Sequence, residues 1–395
     1  MGNNFSVKSR PFALSRASAL ALVHALALAL AFSFSLSSAL AQPSPPAPPP
    51  TAAPLDPRFA EIARAVKSAR AAMLIPGISV AVVERDQLVF TTSDGFADLE
   101  NQIPADAHTL WRIASVSKPI AATAAMQLVE RGALKLDEPI WTYVPWYPRK
   151  GPHVITVRHV LTHTSGIRHY AYEAGEKEST EFFPTVEAGS HVNGVDREPL
   201  RFTPGTAYLY SSYAYLLVAG LVERASGLGY EGYLREKIFA PAGMTTACLD
   251  KNRDLIPHRA RFYRKTDAGT AVVNAPFVDV SYKWSAGGLL ATPTDLARYA
   301  IALDTGKLLS AESLAQVYAD HKLANGKATA YGLGWHVATD ATGRFWAEHS
   351  GGATGGAAYL LHAPRDGLAI AILCNLERPG ELKKLAHALA ASLLK

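Results

Sequence analysis

Only two cysteines, Cys248 and Cys374, occur in the 395 residues. A disulfide framework therefore cannot carry the fold, and no cysteine–histidine spacing of a structural zinc site is present. Charge is sparse too: Asp, Glu, Lys and Arg make up 18% of the chain, against 49% hydrophobic residues. That balance excludes a disordered polar chain and leaves enough apolar surface for a large core. The net charge is +5, but Lys and Arg are scattered, with no basic run, finger or basic helix. This argues against nucleic acid as a partner. After residue 41 no apolar stretch is long enough to span a bilayer.

What is present begins at the N-terminus. Lys8, Arg10 and Arg16 introduce an Ala/Leu-rich apolar stretch over residues 17–36, and small residues follow up to Ala39-Leu40-Ala41. The pattern predicts a signal peptide over residues 1–41, cleaved before Gln42. The mature protein would then be periplasmic or secreted, with no membrane span. A retained anchor is the alternative, since the stretch approaches spanning length. The small-residue site and the proline-rich segment behind it favour cleavage, and no cysteine follows that could carry a lipid. Pro43, Pro45, Pro46, Pro48, Pro49 and Pro50 predict a stiff, extended linker over residues 42–56. Export permits a disulfide, but Cys374 lies in an apolar, strand-like run, where a buried free thiol is expected.

The folded part is expected over residues 57–395, starting at Asp56-Pro57, an N-cap followed by proline at the first helical position. Phe59, Ile62, Ala63 and Val66 give that helix, over 56–73, an apolar face. Strands are predicted over 78–83 and 88–92, joined by a tight turn at Arg85-Asp86. A helix over 115–131 stops at Gly132. The middle of the chain reads as helical pieces over 157–163, 211–225 and 230–239. Helices over 293–303 and 311–318 then precede strand-like runs over 332–338, 358–362 and 368–374, and a helix over 382–394 closes the chain. Strands at both ends with helices between predict an α/β (α+β) fold: one antiparallel sheet flanked by helices, with an inserted all-helical subdomain. The sheet part would comprise 57–115 plus 285–395, and the helical part 116–284, with a catalytic cleft between them.

Three short elements carry chemistry. In Ser115-Val116-Ser117-Lys118, positions three apart share a helix face, so Lys118 can reach the Ser115 hydroxyl if the helix begins at the serine. A serine hydroxyl is a poor nucleophile until a neighbour takes its proton, and a partly desolvated lysine can do so. The next residues, Ile120, Ala121, Ala124, Ala125 and Leu128, are apolar on almost every side, which predicts a buried central helix. A lysine in the first turn of such a helix needs a reason. The second element is Tyr210-Ser211-Ser212, preceded by Thr203-Pro204-Gly205-Thr206. Tyr210 could serve as phenolate base or as acid toward a leaving group, although from spacing alone a packing aromatic is the simpler reading. The third is His349-Ser350-Gly351-Gly352, whose glycines let backbone N–H groups approach a ligand, or simply make a hairpin turn. His153, His159, His163 and His169 cluster in sequence but match no metal-ligand spacing.

Taken together, these elements resemble the serine β-lactamase/penicillin-binding-protein superfamily, specifically its class C β-lactamase-like branch. The resemblance runs from about Phe59 to the C-terminus. It includes Leu161-Thr162-His163-Thr164-Ser165-Gly166-Ile167, Pro204-Gly205-Thr206 and Ala286-Gly287-Gly288-Leu289-Leu290-Ala291-Thr292. Ser165-Gly166-Ile167-Arg168-His169-Tyr170, Arg259-Ala260-Arg261-Phe262-Tyr263 and Ser281-Tyr282-Lys283-Trp284 resemble the subgroup of mitochondrial serine β-lactamase-like proteins and their bacterial relatives. That subgroup is associated with peptidase rather than antibiotic-degrading activity. The resemblance implies an acyl-Ser115 intermediate, with Lys118 and Tyr210 sharing the acid–base work and the N–H groups of Ser115 and Gly352 forming an oxyanion hole. Ser212, His349, Ser350 and Gly351 would contact a small-molecule or peptide substrate. No cofactor and no metal are implied. Ser212 stands where the family has asparagine, and His349 where it has a permanently charged lysine. The expectation for His349 is a titrating cation, its pKa raised if Glu348 lies beside it.

Overall fold

The computed structural model describes residues 56–172 and 175–394. The expected signal peptide and all of the expected linker except Asp56 lie outside the described residues. Helix α1 (Pro57–Ala72) starts as the sequence predicts: the Asp56 carboxylate accepts from the Arg58 N–H, and proline fills the first turn.

The main sheet has seven strands: β1 (Gly77–Glu84), β2 (Gln87–Asp98), β3 (Ile103–Pro104), β4 (His336–Thr339), β5 (Phe345–Ala353), β6 (Gly356–Ala363) and β7 (Leu368–Cys374). Their spatial order is β3-β2-β1-β7-β6-β5-β4, and every pairing is antiparallel. The two ends of the chain meet where β1 pairs with β7, in a register that places Ile78 opposite Cys374 and Val82 opposite Ile370. Arg85 and Asp86 both have positive φ, the two-residue turn whose twist suits an antiparallel hairpin.

Both faces of the central strands are covered, so β1 and β7 read as continuous apolar runs and not as alternating ones. Ile78, Val80, Val82, Ile370 and Ile372 pack with Ile62 and Val66 of α1, and with Leu382, Ala386 and Leu389 of the C-terminal helix (Leu382–Leu393). On the opposite face, Ala81, Val83 and Ala369 meet Ala297 and Ala300 of the helix Pro293–Asp304. Small side chains on both partners let that helix lie close to the sheet.

Helix α2 (Ser117–Glu130) runs through the largest core cluster, with every residue from Ser117 to Leu128 buried. The apolar periphery of this segment foretold that position. Helix α3 (Ser212–Ser226) packs beside it, capped by the Ser211 hydroxyl and closed by Gly227 in the left-handed conformation.

The α/β architecture with flanking helices is the expected one, but the inserted segment is not wholly helical. It carries strands at Cys248–Leu249, Tyr263–Lys265 and Val272–Asn274. Runs of two or three residues are too short to leave an alternation signal, and pairing alone defines them. The largest discrepancy is β5, a strand that was not predicted: Gly351 and Gly352, for which a hairpin turn was the simpler alternative reading, are paired with Ala358 and Ala357. Both thiols are free; Cys374 is buried as expected, whereas Cys248 is only half-buried. No helix among the described residues is long and apolar enough to cross a membrane.

Candidate active site

Ser115 does not open the α-helix directly. It occupies a 3-10 turn, Ala114–Val116, that leads into α2. Ala114 there has φ +48°, a left-handed conformation that costs a non-glycine residue free energy and tends to mark functional turns. Strand β5 lies against this turn: a Cβ added at Gly351 would stand 2.2 Å from the Ile113 carbonyl oxygen. Gly351 is therefore the residue that lets β5 approach the serine, a reason tied to side-chain absence and not to turn geometry.

Lys118, on the first turn of α2, is fully buried. Its Nζ lies 2.9 Å from Ser115 Oγ, 3.0 Å from Ser212 Oγ and 2.6 Å from the Ala286 carbonyl oxygen. Burial, with the Lys283 cation second, holds its pKa well below the ordinary 10.5 and so favours the free amine. Lys283 is itself buried and ion-paired with Glu178. The short segment from Lys283 to Ala286 thus brings a cation near Lys118 and a carbonyl acceptor onto it.

Tyr210 lies with its ring centroid 4.9 Å from Lys118 Nζ. Burial raises its phenol pKa above the ordinary 10, against a smaller lowering by the hydroxyls of Ser115 and Ser212 that it faces. Two histidines from the 163–169 region hold this segment. The Ser211 N–H donates to Nδ1 of His163 at 3.1 Å, and the Ser212 N–H donates to Nδ1 of His169, also at 3.1 Å. The Ser211 hydroxyl caps α3 and donates to the Arg168 carbonyl at 2.6 Å.

The structure brings Ser115, Lys118, Tyr210 and Ser212 together and sets β5 against the serine turn. The charge expected at His349 is corrected. Its imidazole is buried, and both ring nitrogens are occupied: Nε2 lies 3.0 Å from the Tyr331 hydroxyl, Nδ1 2.7 Å from the Ser350 carbonyl. Burial, then His336 and Lys118, push its pKa well below 6.5. Glu348 cannot raise it, because strand alternation turns Glu348 to the other face, where it meets Tyr359, Lys383 and His387. Ser350 and Gly352 share that other direction and are exposed. Among the described residues, strand β5 has no strand partner on its β4 side beyond Glu348.

Gly352 also lines a cavity of about 480 Å³, shared with Thr354, Glu178 and Phe277. Among the described residues no group of three His, Cys, Asp or Glu side chains is placed to hold a metal ion. Sequence reasoning missed Lys283, Ala286, Tyr331, His163 and His169 as parts of the site. The sole signal for Lys283 was its place in Ser281-Tyr282-Lys283-Trp284; a backbone carbonyl such as that of Ala286 leaves no signal at all.

The Beta-lactamase family profile matches residues 62–395. The chain is 30% identical over 407 aligned positions to the serine beta-lactamase-like protein LACTB, mitochondrial, of Homo sapiens, covering 77% of this chain and 74% of that protein. Among solved structures it resembles the octameric penicillin-binding protein homologue from Pyrococcus abyssi, with a TM-score of 0.72 and 26% identity over 85% of this chain and 77% of that one. The D-amino acid amidase from Ochrobactrum anthropi shares the fold, with a TM-score of 0.74 at 23% identity over 86% of this chain and 99% of that one.

Proposed function

The chain belongs to the Beta-lactamase family and is a serine hydrolase, and from that premise we propose that it cleaves peptide or related amide bonds through an acyl-Ser115 intermediate. The observation that carries this reading is the opposite displacement of two neighbouring groups. Lys118 is pushed down in pKa and Tyr210 up, beside the same hydroxyl. Groups whose environments drive their pKa values apart divide into base and acid. Lys118, as the free amine, takes the Ser115 proton while Oγ bonds to the substrate carbonyl carbon. The resulting oxyanion is received by the N–H groups of Ser115 and Gly352. Collapse breaks the C–N bond, and the departing nitrogen takes a proton from Tyr210, which the Lys118 ammonium then restores. Water repeats the sequence on the ester and frees the acid. Ser212 holds the lysine in line, and Gly351 lets β5 approach the serine turn, so that its backbone edge, with Ser350 and Gly352 exposed, is the wall along which substrate lies.

A second reading has its own support. A buried neutral histidine on β5 offers no fixed charge to a substrate carboxylate, which favours uncharged esters and disfavours β-lactam acids. Export by residues 1–41 is part of the same proposal, and a mature chain that still carries that segment would remove it.

The test is a fluorophosphonate label on purified protein with a substrate panel: a peptide library, D-Ala-D-Ala peptides, a nitrophenyl ester and a chromogenic cephalosporin. Ser115 should carry the label, and Ser115→Ala should lose all hydrolysis, several orders of magnitude in rate. Residual turnover above about a tenth of wild type would remove the nucleophile assignment. A protein that never labels is a binding or sensor protein on this fold.

A further inference from the structure

The clustered histidines match no metal site, and two of them close on the same three residues. His163 Nδ1 accepts the N–H of Ser211, and His169 Nδ1 accepts the N–H of Ser212, each at 3.1 Å. Their rings also flank Tyr210 itself, with centroids 4.3 Å and 5.3 Å from its ring, the second in an edge-on arrangement. We propose that His163 and His169 are positioning residues that clamp the Tyr210–Ser212 backbone and so aim the Tyr210 hydroxyl at Ser115 and its leaving group. The inference rests on the acid role given to Tyr210 above.

The physical need for such a clamp is visible in the local chain. Tyr210 lies just outside helix α3, before its N-cap Ser211. The first N–H groups of a helix have no partner within the helix. The Ser211 hydroxyl serves the Ala214 N–H, so the donors at 211 and 212 must be met from elsewhere. A carboxylate would meet them equally well, but it would also pair with Lys118 and restore the lysine's charge. A neutral imidazole accepts the bond without adding a negative charge beside the base. The hydrogen bonds require Nδ1 to be unprotonated, and burial lowers both histidines, His163 well below 6.5 and His169 to about 4. His169 also reaches the base: the Ser212 that it holds accepts from Lys118 Nζ.

His169 carries the test, because His163 is fully buried with φ +59° and its variants are more prone to misfold. His169→Ala should lower kcat on p-nitrophenyl butyrate about 10- to 100-fold with KM within about twofold, since a misaimed acid slows chemistry and not binding. His169→Asn, whose side-chain oxygen can take the place of Nδ1, should recover most of that loss. The pH profile separates aiming from simple packing. His169 faces Lys118, Glu176, Arg168, Tyr170 and Tyr210. Near pH 4 the wild-type acid limb should steepen by one further proton, and the asparagine variant should lack that step. Wild-type kcat in His169→Ala, an asparagine variant no better than alanine, or an unchanged acid limb in His169→Asn would each overturn the clamp. Tyr210→Phe measured alongside keeps the two ideas apart. If it is as active as wild type, the acid role of Tyr210 is wrong. If it is impaired while His169→Ala is not, the clamp alone fails.

Discussion

The Tyr331 hydroxyl donates to Nε2 of His349 at 3.0 Å, which leaves Nδ1–H to donate to the Ser350 carbonyl at 2.7 Å. One neutral tautomer satisfies both bonds, and burial disfavours the charged ring, so the position where the wider family carries a lysine holds a neutral imidazole here. Hydrolysis of an anionic substrate relative to a neutral ester should therefore stay constant over roughly pH 5.5–8, because His349 does not titrate in its usual range. His349→Lys would bury a second cation near Lys118 and strand the Tyr331 hydroxyl. The expected result is a loss of stability on the order of several kcal/mol, read as a lowered thermal midpoint, and no gain in β-lactam acylation. A substrate ratio that falls as pH rises through the histidine range would reinstate the cation.

Gly351 and Gly352 are adjacent and differ sharply in their surroundings. A Cβ at 351 would stand 2.2 Å from the Ile113 carbonyl oxygen, whereas one at 352 would meet nothing within 4 Å. Gly351→Ala should push β5 off the serine turn, cost about 1–3 kcal/mol and lower kcat at least tenfold. Gly352→Ala should leave the thermal midpoint unchanged. Equal midpoints for the two variants would mean that β5 does not press on the turn as described.

How much of this was legible beforehand follows from what kind of signal each feature leaves. Ser115 and Lys118 were readable because helix periodicity fixes the distance between residues three apart, and the apolar flanks of α2 announced its burial. Tyr210 could not be told from a packing aromatic by spacing; its role depends on the Lys118 and Ser115 atoms that the fold brings to it. Whether Glu348 raises His349 was left open by the sequence, because adjacency along a chain does not fix adjacency in space, and the depth of the imidazole's burial left no signal. In a strand, neighbours point to opposite faces. The histidines at 163 and 169 were visible as a cluster, but their target, the backbone of residues 211 and 212, has no residue signature.

A carboxylate pair at the β1–β2 turn gives a stability prediction. Asp86, in the β1–β2 turn, faces Asp304, and each has a buried Oδ1 that no donor among the described residues reaches. Burial, and then Asp304, raise the Asp86 pKa above 3.8, while His362 opposes them. The group thus favours folding below about pH 3.8, and that contribution is lost as pH rises through its raised folded value. Asp86→Asn should stabilise the protein at pH 7, by about 2 °C in thermal midpoint, and by less near pH 4. A gain independent of pH would instead reflect the tolerance of asparagine for the positive φ at this position.

The division of labour between Lys118 and Tyr210 makes the sharpest prediction about rate. Lys118→Ala and Tyr210→Phe should each cost about 10²–10⁴ in kcat/KM, and the double variant far less than the product, because base and acid serve one proton path. The pH profile adds the sign. Activity requires the free amine, so kcat/KM should rise with pH through the depressed pKa of Lys118, well below the ordinary 10.5. Lys283 is the second cause of that depression, and its partner Glu178 is buried with it. Lys283→Met removes the neighbouring cation and leaves the Glu178 carboxylate, and both changes favour a charged Lys118. The acid limb of Lys283→Met should therefore move to higher pH. Lys283→Met/Glu178→Gln, which removes both charges, should move it less. If the limb stays put in both variants, Lys283 does not tune the base, and burial alone accounts for the state of Lys118.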